Sequence, residues 1–278
     1  MDIARTLPEL RAFCERVRAR RGALSLVPTM GALHPGHLAL LDAARAGGRG
    51  AVASVFVNPL QFGQNEDFRR YPRDEARDFA ALEGVACDVV WAPEVETMYP
   101  HGTATTIDVA GPALRWEGEH RPGHFRGVAT VVAKLFGQVR PDYAFFGEKD
   151  WQQVQVICRM VSDLHLPVAI ETVSTVRQAD GLARSSRNRY LTPEQRGCAP
   201  ILYQALQSVA TALRDGEQAA VALDRGRAML KEAGFALDYF GLVDAATLEP
   251  LSQAAPGSRL LAAAWLGQVR LIDNIGVR

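Results

Sequence analysis

Two histidines, His34 and His37, stand three residues apart in the stretch Ser25-Leu-Val-Pro-Thr-Met-Gly-Ala-Leu-His-Pro-Gly-His-Leu38. One turn of helix at that point puts both rings within reach of the same ligand. Leu24, Leu26 and Val27 precede them as an apolar strand, Gly31, Pro35 and Gly36 mark a turn, and Leu38 to Ala46 reads as a helix. In a parallel α/β sheet, ligands gather outside the carboxyl ends of the strands. A helix N-terminus adds free N–H groups and a positive dipole end that favour phosphate. The pair can therefore face a polyphosphate, and it can equally be a structural or surface feature. Zinc is the weaker reading, since it needs three or four protein ligands and no Cys or Glu lies close in sequence.

Three later segments repeat the arrangement of polar residues at the end of an apolar run. Ala51 to Val57 is a β-branched strand followed by Asn58, Pro59, Gln61 and Phe62. Neutral amides there can hold a hydroxyl or a carboxylate without adding charge, and an Asn-Pro turn beside a solvated Gln is the alternative. Asp142 to Phe146 is a second buried run that ends in Gly147-Glu148-Lys149-Asp150-Trp151-Gln152-Gln153. Lys149 can neutralise phosphate, and Asp150 can cap the following helix or hold a ribose hydroxyl. A capped helix with a solvated lysine fits the same residues. The third is Asp180 to Tyr190, where Ser185 and Ser186 sit among Arg184, Arg187 and Arg189. Hydroxyls and guanidinium forks both donate to phosphate oxygens, while a plain basic loop has the same composition.

The elements that position these groups alternate. Thr6 to Glu9 forms a capping box ahead of a helix carrying Leu10, Phe13, Cys14 and Val17 at helical spacing. Residues 73 to 83 read as helix, Cys87 to Trp91 as a third strand and Thr103 to Val109 as a β segment. Residues 118 to 127 read as a loop, and Val128 to Val139 and Val154 to Leu164 as helices. Val168 to Val173 is a further strand. Beyond residue 190, Ala-rich helices at Pro193 to Arg214 and Glu217 to Ala233 lead into strand candidates Leu237 to Val243, Leu260 to Trp265 and Val269 to Asn274. The pattern predicts an α/β chain: a Rossmann-like parallel sheet domain at 1–180 and a smaller α+β C-terminal domain at 181–278.

Composition narrows the function. At 278 residues and 48% hydrophobic, the chain can bury a full core. Lys plus Arg and Asp plus Glu both total 31, so no global field draws in nucleic acid. The cysteines at 14, 87, 158 and 198 lack framework or Cys-x-x-Cys spacing and read as thiols of a reducing compartment. No run approaches 18 apolar residues and none resembles a leader. A cytoplasmic protein without nucleic-acid or membrane partners is expected.

Pro28-Thr-Met-Gly-Ala-Leu-His-Pro-Gly-His37 resembles the nucleotide-binding signature of the pantoate–β-alanine ligase family, relatives of the His-Ile-Gly-His nucleotidyltransferases and class I aminoacyl-tRNA synthetases. The likeness runs along nearly the whole chain, through Arg121-Pro-Gly-His-Phe-Arg-Gly-Val128, Gly147-Glu-Lys-Asp-x-Gln-Gln153 and Ser185-Ser-Arg-Asn188. It implies an ATP site at Met30, Gly31, Ala32, Leu33, His34, Pro35, Gly36 and His37. That site continues through Gly147, Glu148, Lys149 and Asp150, then Val176, then Arg184, Ser185, Ser186 and Arg187. The resemblance also implies pantoate and β-alanine contacts at Gln61, Gln153 and Asn58. The catalytic set it implies is His34, His37, Lys149, Ser185, Ser186 and Arg187, with His37 as proton donor. Residue 184 is usually Met or Leu in the family, so Arg184 is a departure that adds charge. The implied reaction adenylates pantoate with ATP, releases pyrophosphate, and lets β-alanine displace AMP to give pantothenate. Magnesium bridging the phosphates and a homodimer formed through the N-terminal domain are implied as well, without any nameable metal ligand. Two rivals share the scaffold. A nucleotidyltransferase for a phosphorylated acceptor should carry a second cationic cluster in place of Gln61 and Gln153, and a non-catalytic nucleotide binder is supported only by Arg184.

Overall fold

A computed structural model describes residues 1–63, 67–100 and 102–277. Strands β1 (Asp2–Ala4), β2 (Leu24–Thr29), β3 (Gly50–Val55), β4 (Val89–Trp91), β5 (Tyr143–Gly147) and β6 (Ala169–Val173) form one sheet ordered β1-β4-β3-β2-β5-β6, with every pairing parallel. β2 and β3 are largely apolar, with Ser25, Thr29 and Ser54 as small polar exceptions, because both faces of the sheet are covered. Helices α1 (Leu7–Arg21), α2 (Pro35–Arg45) and α3 (Glu75–Gly84) alternate with the first four strands. The short α4 (Val95–Met98) and α5 (Glu117–His120) follow β4, and α6 (His124–Val139) and α7 (Trp151–Asp163) flank β5. One face of the sheet packs against α1, α6 and α7, around Leu10, Trp91, Phe125, Leu135 and Ile157. The other packs against α2 and α3, around Leu41, Leu82 and Phe145. The chain runs from β2 outward through β3 to β4 and then returns to place β5 on the opposite side of β2. That reversal opens a crevice at the carboxyl ends of β2 and β5, where ligands of such sheets bind.

The C-terminal part has a core of its own. Helices α8 (Pro193–Cys198), α9 (Ile201–Arg214) and α10 (Ala219–Glu232) cover an antiparallel sheet of β7 (Ala236–Asp244), β8 (Ser258–Leu266) and β9 (Val269–Gly276). A smaller cluster joins the two parts, with Trp116 and Trp151 against Val243, Leu248 and Leu261. Both indoles donate across this seam, Trp116 to the Leu248 carbonyl at 2.9 Å and Trp151 to that of Ala245 at 2.7 Å.

Most expected elements stand within a few residues of their place, the short α4 is an addition, and four further differences have a physical reason. β1 is an addition, because three residues carry no readable period and are made a strand by pairing with β4. Thr103 to Val109 is not a strand: it has no regular secondary structure and is held at Ile107 N–H by Thr130 Oγ1 of α6 at 2.9 Å rather than by a neighbouring strand. The segment 118–127 is only partly loop, since α5 and the first turn of α6 occupy most of it. The helix read across Pro193 to Arg214 is two helices, broken at Ala199 and Pro200, where proline denies the next turn its N–H donor. No helix among the described residues is long and apolar enough to cross a membrane.

Candidate active site

The turn after β2 carries the first groups. Gly31 and Ala32 both have positive φ, +78° and +51°, which suits glycine and strains alanine. Asp78 on α3 holds them there: its two carboxylate oxygens accept from the N–H groups of Ala32 and Leu33, each at 2.8 Å. A Cβ on Gly31 would lie 2.7 Å from that carboxylate, so glycine is required for approach as well as for conformation. Behind the turn, Thr29 Oγ1 donates to the Ser54 carbonyl at 2.6 Å and accepts from Gly31 N–H at 3.2 Å, tying β2 to β3.

α2 then begins on the two histidines. His34 is its N-cap, with Nδ1 accepting from Gly36 N–H at 3.1 Å, and His37 Nδ1 reaches back to accept from His34 N–H at 3.3 Å. The rings stack, with centroids 4.0 Å apart and planes 27° from parallel. Gly36 is needed because a Cβ would lie 2.9 Å from the His34 ring. Burial, reinforced by Lys149, pushes His34 down to about 4. Burial and the neighbouring His34 push His37 down to about 3. Both rings are therefore neutral near pH 7. Since each Nδ1 accepts a backbone N–H, the proton of each neutral ring sits on Nε2. The pair is a set of neutral Nε2–H donors at a helix N-terminus.

The amides come from the end of β3 and the start of α7. Asn58 is 1% exposed and fully engaged: it accepts from Tyr99 Oη at 2.7 Å and donates to the Gln61 side-chain oxygen and the Gly127 carbonyl, both at 3.1 Å. Its role is to orient Gln61, whose own amide N–H group meets, among the described residues, the soft Met30 sulfur at 3.0 Å. Gln153, on the first turn of α7, hydrogen-bonds through its side chain to no other described residue and faces the same cavity. Gln152, beside it, is structural, capping the Glu117 N–H and holding the carbonyls of Pro112 and Arg115.

β5 ends in a single 3-10 turn, Glu148 to Asp150. The Lys149 ammonium lies 3.8 Å from Asp150. Asn274 of β9 donates to the backbone carbonyls of Glu148 and Lys149 at 2.9 and 2.8 Å, so the C-terminal part fixes the lysine's backbone. The Glu148 carboxylate turns away to Arg259 at 3.0 Å. After β6 the chain passes Val176 to the serine loop, where Ser185 caps the short 3-10 helix Ser186–Tyr190 through Arg187 N–H at 3.3 Å.

One cavity of about 220 Å³ unites these tips. Met30, His34, Gly36, His37, Asn58, Gln61, Gly147, Lys149, Asp150, Gln153, Val176, Arg184, Ser185, Ser186 and Arg187 all line it. Of the expected ATP residues, Gly31, Ala32, Leu33, Pro35 and Glu148 do not. The N–H groups of Ala32 and Leu33 are spent on Asp78, and Glu148 is spent on Arg259.

Several residues that organise the site carry no sequence signal of their own. Asp78 reads as one acid on an amphipathic helix. Glu117 reads as a loop acid, yet it is 6% exposed, paired with Arg270 of β9 at 2.7 Å and Arg121 at 3.3 Å, and accepts from Tyr239 Oη at 3.2 Å. Burial opposes its charge, but Arg270 and Arg121 outweigh it and hold the carboxyl down at about 2. From Arg121 the chain of contacts continues to His124 Nε2 at 3.1 Å, and His124 Nδ1–H donates to the Gln61 carbonyl at 2.9 Å. An ion-paired seam between the two parts thus ends on the backbone of a cavity amide.

The family model for pantoate-beta-alanine ligase matches residues 2–276. The pantothenate synthetase of Acidiphilium cryptum is 59% identical over 278 residues, covering 100% of both chains. That of Granulibacter bethesdensis is 53% identical, covering 99% of this chain and 97% of the relative. Among solved structures, pantothenate synthetase from Thermus thermophilus superposes with a TM-score of 0.95 at 50% identity, covering 100% of this chain and 99% of that one. Pantoate-beta-alanine ligase from Francisella tularensis, complexed with beta-gamma ATP and beta-alanine, gives 0.84 at 31%, covering 100% and 98%.

Proposed function

The chain belongs to the pantoate-beta-alanine ligase family, and from that premise we propose that this cavity binds ATP, pantoate and β-alanine and joins the two acids through a pantoyl adenylate. The observation that carries the reading is the shared cavity: neutral histidine donors, Lys149 and the serine loop on one side, and two amides, Gln61 and Gln153, on the other. A carboxylate cannot expel oxide. Attack of the pantoate carboxylate on the α-phosphorus of ATP releases pyrophosphate and supplies AMP as a leaving group for the β-alanine amine. No protein nucleophile is needed. The chain's task is to align the reactants and to stabilise charge as it grows on phosphorus and pyrophosphate.

His34 and His37 donate Nε2–H to phosphate oxygens beside the α2 N-terminus, Lys149 supplies the compact cation, and Ser185, Ser186 and Arg187 embrace the phosphates from the opposite loop. Gln61 and Gln153 hold pantoate by hydrogen bonds that add no charge beside the triphosphate. Neutral histidines suit hydrogen-bond donation rather than proton transfer. A nucleotidyltransferase for a phosphorylated acceptor fits less well, because neutral amides stand where such a substrate needs cations.

Magnesium fits as a companion of the nucleotide. Among the described residues, no group of three or more His, Cys, Asp or Glu is arranged for a metal, and Asp150 is the one carboxylate lining the cavity. Asp150 would offer a protein oxygen to an ion carried by the triphosphate, and the ion would neutralise phosphate charge. We further assign the 1–180 and 181–278 division, a cytoplasmic location consistent with four free cysteines, and a homodimer built through the larger part.

The test is omission. With ATP, pantoate and β-alanine present, AMP, pyrophosphate and pantothenate should form in equal amounts. With β-alanine left out, hydroxylamine should trap activated pantoate. Pyrophosphate release that ignores pantoate would overturn the reading.

A further inference from the structure

The charge of Lys149 sits at the end of a flexible four-carbon stem, and the carboxylate paired with it, Asp150, is 3.8 Å away, too far for a hydrogen bond. The aim of the side chain into the cavity is therefore set mainly by the backbone that carries it. That backbone is held from the far end of the sequence. Asn274 of β9 is 4% exposed, and its one NH2 group donates to two successive carbonyls, those of Glu148 and Lys149, at 2.9 and 2.8 Å. Its Oδ1 accepts from Arg259 Nε at 2.6 Å, so the amide uses every polar atom it has and cannot turn over without setting an oxygen against two carbonyl oxygens. Arg259 is itself fixed on the larger part, pairing with the Glu148 carboxylate at 3.0 Å and lying over the Trp151 ring at 3.8 Å. The neighbouring Asp273 adds a second anchor: it pairs with Arg177 at 2.6 and 2.9 Å and accepts the Asn274 N–H at 2.8 Å. β9 is thus pinned beside the residue that grips the lysine's turn.

We propose that Asn274 is a positioning residue for adenylate formation. It does not line the catalytic cavity, and it acts by fixing the 148–149 backbone from which Lys149 reaches the phosphates. This rests on the reading of Lys149 given above. The C-terminal part then belongs to the catalytic frame, because it cannot shift on the larger part without moving the lysine. A cation stabilises charge in the transition state only where it already points at it, and a displacement of about 1 Å costs far more in rate than the bonds that prevented it.

A double-mutant cycle on the full chain tests this, with Asn274→Ala and Lys149→Ala made singly and together and first-turnover release of pyrophosphate from ATP and pantoate as the readout. Asn274→Ala should lower that rate about tenfold or more where Lys149 is present, and less than about twofold where residue 149 is already alanine, with KM for pantoate within about threefold of normal. A residue needed for packing alone would cost the same in both backgrounds. That result overturns the proposal, as does a near-normal rate in Asn274→Ala. Asn274→Asp keeps the side-chain size and the acceptor for Arg259 but withdraws both donors, and it carries the same expectation should the alanine variant fail to fold. An unchanged rate in Lys149→Ala alone overturns the role of Lys149 and this proposal with it. Absence of pantoate-dependent pyrophosphate release from the unmodified chain overturns the ligase reading itself.

Discussion

Removing the Asp78 carboxylate should disable the site from a position that touches no ligand. Both its oxygens accept backbone N–H groups of the turn between β2 and α2, at 2.8 Å each, and it is 3% exposed. Hydrogen bonds to a charged acceptor contribute about 1.5–3 kcal/mol each, so Asp78→Ala removes about 3–6 kcal/mol of restraint and leaves two buried donors unmet. That restraint is what keeps Ala32 at φ +51°, a conformation alanine does not choose. Once it is gone, the turn relaxes, and the His34 cap that starts at its end loses its fixed entry angle. Each step of about 1.4 kcal/mol shifts the competent population tenfold, so kcat/KM for ATP should fall by about two orders of magnitude or more. Asp78→Asn keeps the volume and one acceptor but turns a donor toward the second N–H, and should lie between the unmodified chain and Asp78→Ala. Pyrophosphate release measured against ATP and pantoate in turn separates this from general loosening: the loss should fall on ATP, with KM for pantoate little changed. Circular dichroism and thermal melting confirm that the variants fold. A folded Asp78→Ala protein within about threefold of normal kcat/KM for ATP would show that the turn holds itself.

Replacing His37 or Lys149 by Ala should lower single-turnover adenylate formation by about two orders of magnitude or more, as losing a preorganised donor does, with the fold intact; near-normal formation of the adenylate in both would refute their role. Stability should drop between pH 7 and pH 5. The unfolded histidines take up protons below about 6.5, whereas His34 and His37 stay neutral in the fold down to about 4 and about 3. Each therefore withdraws about 2 kcal/mol at pH 5, a loss that levels off below the folded values. Urea unfolding at the two pH values measures it, and a His37→Asn protein should lose close to half of the slope. Glu117 acts only lower, where its carboxyl, held at about 2, begins to bind protons in the unfolded chain below about 4.5. Glu117→Gln leaves Arg270 and Arg121 without their shared acid and should cost about 3–5 kcal/mol in urea unfolding. It should also raise KM for pantoate, because the Arg121–His124 support of the Gln61 backbone loosens. An unchanged KM for pantoate would confine Glu117 to stability.

What a sequence can carry is local chemistry at predictable places. β2, β3 and β5 are legible because strands buried on both faces are built mostly of apolar and small residues. Their carboxyl ends are legible because glycine, proline and polar residues cluster where the run stops. His34, Gln61 and Lys149 stand just past their own strands, while Ser185 lies well beyond β6 and is marked only by the hydroxyls and arginines of its loop. Their supports could not be read in this way, since Asp78 lies about 45 residues from the turn it holds and Asn274 about 125 from the carbonyl it clamps. Neither distance leaves a period or a motif. Asn58 misleads for a related reason: an exposed-looking amide at a strand end is buried, and Tyr99, Gln61 and Gly127 consume every group a substrate would want. The histidines mark the sharpest limit. Spacing puts the rings together, but only the cap geometry says that both Nδ1 atoms are spent on α2, and only burial says that both rings are neutral. The family resemblance implies a proton donor at His37, and burial leaves that ring neutral, with Nε2–H as the group it has to donate. In the proposed reaction, neutral rings would stabilise pyrophosphate by hydrogen bonding, and the charge of the leaving group would fall to Lys149 and Arg187, which line the same cavity.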